Sequence, residues 1–138
     1  MSRITVLLAF ALVLLSESSK ADQVTYFTMA FAYDTHLSAT GDQPCITAVH
    51  DFVESMQKNP PTKTTYEVYR GRIIQPVRGD FDSRTQEFKI TYPDIYHQYR
   101  IERHISGVLD VSDGQIEVIA FLNNTQACAL KYKAKLIF

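Results

Sequence analysis

Across residues 128–138 the chain alternates without a break. Cys128, Leu130, Tyr132, Ala134, Leu136 and Phe138 share one face, and Lys131, Lys133 and Lys135 the other. A period of two belongs to a strand, because successive side chains leave opposite sides of the backbone. An apolar face backed by lysine means a sheet with one wet side, and its other side must be covered by another element.

The same period returns upstream. Residues 25–33 put Phe27, Met29, Phe31 and Tyr33 on one face. Residues 87–92 alternate Phe88, Ile90 and Tyr92 against Glu87, Lys89 and Thr91, and 99–111 run through Tyr99, Ile101 and Ile105 with Arg103 out of pattern. Residues 115–122 are apolar on both sides, as in a central strand. Residues 64–74 are β-branched and aromatic but hold Arg70-Gly71-Arg72, which predicts a bulge or close backbone approach at Gly71. Ser112-Asp113-Gly114 has the chemistry of a hairpin turn.

Only one stretch has helical spacing. Ile46, Val49, Val53 and Met56 recur at intervals of three and four, after a turn-rich join over 35–44 in which Asp42 is the expected cap, and Asn59-Pro60-Pro61 closes the helix. The predicted fold is α+β, mostly β: one short helix packed on a curved antiparallel sheet of five to six strands. Phe27, Met29, Phe31, Ile116, Val118, Leu130 and Tyr132 supply more apolar surface than one short helix covers, so they are the expected lining of a pocket for a fatty acid or other apolar ligand.

The N-terminal segment directs the chain out of the cell. Arg3, the apolar run 4–15 and Ser19-Lys20-Ala21 follow the order of a secretory signal peptide over residues 1–21. Removing those from 138 residues leaves 117, one secreted domain over 22–138. The apolar run is too short for a membrane span. Without Arg3, Glu17 and Lys20, the 14 basic and 15 acidic residues become 12 and 14, a net charge of about −2 that offers no footprint for nucleic acid. In an oxidising compartment Cys45 and Cys128 are expected to pair with each other, the alternative being a bridge to another chain. Asn123-Asn124-Thr125 is an N-glycosylation acceptor.

Catalytic and metal signatures are missing. His36, His50, His97 and His104 show no metal-ligand spacing, no EF-hand loop runs through Asp80, Asp82, Asp94, Asp110 and Asp113, and no nucleophile elbow or glycine-rich phosphate loop occurs. The expectation is a protein that is not an enzyme and has no cofactor. Tyr92, Tyr96 and Tyr99 read either as a stacking surface or as strand ends with one wet edge.

Three recognition signals overlap between Gln75 and Ile90. Arg78-Gly79-Asp80 spells the tripeptide that integrins read, in a stretch predicted to be a turn, which points to an adhesion antagonist. Gln75, Val77 and Gly79 satisfy the Q-x-V-x-G pattern, and with a preceding helix and strand the order resembles the cystatins. That resemblance implies a hairpin wedged into a cysteine-protease cleft. The chain also resembles the ependymin-related secreted proteins, through Pro44-Cys45, Tyr69-Arg70-Gly71-Arg72-Ile73, Phe81-Asp82 with Gln86, Phe88, Lys89 and Ile90, and the run from Gly114 to Cys128. This second resemblance implies an extracellular, non-enzymatic glycoprotein with a curved antiparallel sheet, a hydrophobic pocket, and association with calcium and extracellular matrix.

Overall fold

A computed structural model of the protein describes residues 23–138, so the signal segment expected over 1–21 lies outside the described residues. The alternating C-terminal stretch forms β8 (Thr125–Ile137), with Cys128, Leu130, Tyr132, Ala134 and Leu136 buried and its lysines exposed. One side of β8 pairs with β7 (Asp113–Leu122), the other with β1 (Thr25–Gly41). Between them β2 (Thr64–Tyr69), β3 (Arg72–Gln75), β4 (Arg78–Phe81), β5 (Glu87–Tyr96) and β6 (Tyr99–Val108) follow in order, every neighbour antiparallel. The first strand meets the last, and the sheet closes as a barrel of eight strands. Closure covers the apolar face by curvature rather than by a second layer, and it removes the free edges through which sheets aggregate.

The sheet thus stays antiparallel and mostly β with one helix, but it has eight strands rather than five to six. One extra strand comes from a turn the pattern did not show, the other from a stretch expected to be a turn. The stretch 64–74 is two strands, because Arg70 and Gly71 take φ of 51° and 76° and reverse the chain between β2 and β3. Two successive positive φ values make the tight turn whose twist suits a hairpin, and glycine adopts one of them without steric cost. Next, 78–81 pairs with strands on both sides and is β4, not a loop. The turn expected at Ser112-Asp113-Gly114 lies earlier, at 109–112, where Asp110 takes φ 64°. Gly114 instead stands inside β7, facing Leu136. The join over 35–44 is also mostly strand: β1 runs on to Gly41, with register shifts at Tyr33/Thr35 and His36/Ser38 that let seventeen residues bend around the barrel.

The helix α1 (Gln43–Met56) leaves β1 at the end of the barrel where β8 begins. Asp42 occupies the cap position with extended backbone, its carbonyl accepting from the Ile46 amide at 3.1 Å, while its side chain makes no cap bond. The buried stripe is Cys45, Val49, Phe52 and Val53, rotated from the expected one so that Met56 is exposed. The rotation has a covalent cause, since Cys45 is bonded to Cys128 with their Cα atoms 5.9 Å apart. That bridge pins the first turn of α1 to the start of β8. No helix among the described residues is long and apolar enough to cross a membrane.

The bridge closes a separation of 83 residues, for which loop-closure entropy predicts about 4.5 kcal/mol of stabilisation. Replacing both cysteines by alanine should lower the denaturant-unfolding free energy by roughly 2–5 kcal/mol. A loss well under 1 kcal/mol in equilibrium urea melts would show that α1 is held by packing alone.

Candidate functional site: a buried arginine at the barrel mouth

β6 runs inward through Ile101, Arg103 and Ile105, so one position of the core register carries a guanidinium. All but 7 % of Arg103 is buried. Removing a cation from water costs several kcal/mol even after relaxation, and the neighbours of Arg103 show how that cost is met. Tyr92 stands directly opposite on β5, its ring centroid 4.9 Å from the guanidinium carbon, with Phe31 of β1 at 5.8 Å and Phe52 of α1 at 5.9 Å. Arg103 Nε donates to Asp94 Oδ2 at 2.8 Å, a diagonal contact between β5 and β6. The pair is asymmetric, because the Asp94 side chain is 22 % exposed and that of Arg103 only 8 %. Burial works to lower the Arg103 pKa, but the neighbouring Tyr33 and Asp94 outweigh it and hold the value above the ordinary one.

Tyr33 completes the group. Its ring lies edge-on to Tyr132 at 5.2 Å, and its hydroxyl is the one buried side-chain polar atom among the described residues with no hydrogen-bond partner. Burial raises its pKa, while the neighbouring Arg103 guanidinium, which favours the ionised form, pulls the other way. Beside it the hydroxyls of Tyr66 and Tyr92 share a hydrogen bond, and burial with that bond lifts Tyr66 far above the usual phenol range.

Phe31, Tyr33, Tyr92 and Arg103 floor a cavity of about 550 Å³, whose rim is Met56, Gln57 and the turn carrying Pro60 and Pro61. The opening follows from the strand register. β1 pairs with β2 only from Thr25↔Val68 to Met29↔Thr64, and from Ala30 onward its recorded partner is β8. Past Met29 the wall between β1 and β2 splays, and the chain leaving α1 covers the gap, held by the Gln57 side-chain amide donating to the Tyr33 carbonyl at 3.3 Å. A larger depression of about 890 Å³ lies at the other end of the barrel, but most of its lining is exposed and it contains no buried charge. The smaller cavity is where chemistry and enclosure coincide.

Most of the sequence-derived pocket residues lie away from both cavities. Met29, Ile116, Val118 and Leu130 are wholly buried and Tyr132 almost so, forming the closed interior; Phe27 stacks on Tyr66 at 5.1 Å towards the far end. Of the seven, Phe31 reaches the cavity. Arg103, Tyr33 and Asp94 were not among them, although a charge in an otherwise apolar register was the visible signal.

The interaction stretch is placed differently from expectation. Gln75 ends β3, Val77 is half-buried, and Arg78, Gly79 and Asp80 lie in β4 rather than at a turn. Arg78 and Asp80 both point to solvent, Asp80 standing between Arg72 and Lys89 of the adjoining strands. A Cβ on Gly79 would come within 2.1 Å of the Lys89 carbonyl oxygen, so glycine is required there by the closeness of two backbones. Asn123 occupies the exposed turn between β7 and β8 with φ 52°. Among the described residues no group of three or more side chains could hold a metal ion; His36 and His50 stack edge-on beside Tyr132, and His36 Nε2 lies 3.1 Å from the Ser38 carbonyl oxygen.

No protein-family model, curated protein or solved structure matches this chain.

Two outcomes test this geometry. Gly79→Ala should cost roughly 2 kcal/mol or more of stability, because relief requires parting β4 from β5; an unchanged melting temperature would contradict the close approach. The second concerns alkaline pH. Tyr33, Tyr66 and Tyr132 all have raised pKa values, burial being the largest cause in each, with Tyr132 pushed up to about 12. A folded-state value above the unfolded one of about 10 means that the fold holds the neutral phenol, and this stabilisation is whole below pH 10 and lost as pH rises through the folded values. Stability should therefore decline above about pH 10, with the tyrosinate absorbance of these three residues developing together with loss of circular dichroism. Their ionisation in a still-folded protein near pH 10 would contradict the burial described.

Proposed function

We propose that the protein is a secreted, non-enzymatic glycoprotein that carries a small apolar ligand in the cavity between α1 and the barrel mouth. The observation that carries this reading is the splayed wall beyond Met29, which leaves a space of about 550 Å³ floored by Phe31 and Tyr92 in an otherwise filled interior. Small-molecule sites span about 300–1,000 Å³, mostly apolar with a few fixed polar groups. The Cys45–Cys128 bridge supports an oxidising, extracellular location, and the exposed turn at Asn123 leaves room for a glycan. The reading agrees with what the ependymin-related resemblance implies.

Full-length secreted protein should enhance the fluorescence of an anilinonaphthalene sulfonate dye, release it to dodecanoic acid, and melt at higher temperature with that acid present. Failure of all three, with no lipid found by mass spectrometry of the purified protein, would remove the carrier role. Papain inhibition and block of integrin-dependent adhesion lost in Asp80→Glu are the assays for the two readings of Gln75–Asp80. Silence in both is the expected result.

A further inference from the structure

We propose that the ligand of this cavity is an amphipathic acid bound head first, its carboxylate accepting from Arg103 and from the Tyr33 hydroxyl. The inference rests on the carrier reading and deepens it. A guanidinium has five N–H donors, and the bond from Arg103 to Asp94 occupies only Nε. Tyr33 brings a buried hydroxyl with no partner to the same cavity. Leaving a buried donor unsatisfied is costly, and natural interiors rarely do it without a function. What the site lacks is an acceptor, and a carboxylate presents two oxygens that can take both donors at once.

The rest of the cavity selects the tail. Besides the two donors, the lining includes the apolar side chains of Phe31, Tyr92, Met56, Pro60 and Pro61. A bare inorganic anion would leave that surface unfilled, while an alkyl chain buries it. Charge balance assigns a role to Asp94. It already neutralises Arg103, so an arriving acid competes with it, and Asp94 is the wetter member of the pair and the one that water can receive. Asp94 is thus the internal counter-ion that holds the empty site together, and removing its charge should favour the ligand.

The test compares dodecanoic acid with dodecanol, equal in chain and different in head group, by titration calorimetry on the full secreted protein at neutral pH. The acid should bind roughly tenfold to a hundredfold more tightly. Tyr33→Phe should weaken acid binding several-fold, leave dodecanol binding unchanged, and melt no lower than the parent, since it removes an unsatisfied hydroxyl. Asp94→Asn should tighten acid binding, and Arg103→Met should abolish the preference for acid over alcohol. If Arg103→Met does not fold, Tyr33→Phe decides. Equal binding of acid and alcohol, or a Tyr33→Phe protein that binds acid as tightly as the parent, overturns the inference and leaves the carrier reading standing. Absence of binding by both compounds overturns the carrier reading itself, and the inference with it.

Discussion

The ladder between β1 and β8 is the constraint on which the rest of the structure depends. It joins the ends of the described chain over Ala30↔Ile137 to Gly41↔Cys128, and only when it forms does the apolar face become an interior. Before closure, the open eight-stranded sheet would present Met29 and Phe31 to water on one edge and Leu130 and Leu136 on the other. After closure, the same side chains meet across a filled barrel. The helix and its disulfide are secondary to this, attached where the ladder ends at Gly41 and Cys128.

Closure also explains why the site is where it is. β1 serves two partners in succession, β2 with its first five residues and β8 with the rest. A strand that changes partners leaves one side of its backbone uncovered for part of its length. The chain after α1 fills that space incompletely, and the incomplete filling is the cavity. Arg103 and Tyr33 are polar where the surrounding register is apolar because they stand at this one imperfect seam.

Period-two alternation made most of the sheet legible, since it survives in β5, β6 and β8 regardless of what they pair with. It could not show where a strand is cut by two residues of positive φ, because Arg70 has no compositional mark of a turn; hence two hairpins were read as one strand and a loop. Nor could it show closure, which depends on register across eight strands rather than on any residue. The helix was visible from spacing, but its orientation was not, because a disulfide at Cys45 outweighs a small difference in the apolarity of adjoining faces. Arg103 was legible as an exception, whereas the unpartnered hydroxyl of Tyr33 was not, since a tyrosine on an apolar face is usually satisfied.

Joining the first strand to the last has a kinetic consequence. Contacts between residues about a hundred positions apart must wait until nearly the whole chain is available, and topologies dominated by such distant pairings fold slowly. During synthesis β1, with Phe27, Met29 and Phe31, emerges long before β8 and has no lasting partner on that side. The nascent chain therefore spends its synthesis with the apolar face of β1 uncovered, and the last strand to emerge, the thirteen-residue β8, ends its exposure to chaperones and to other copies of itself.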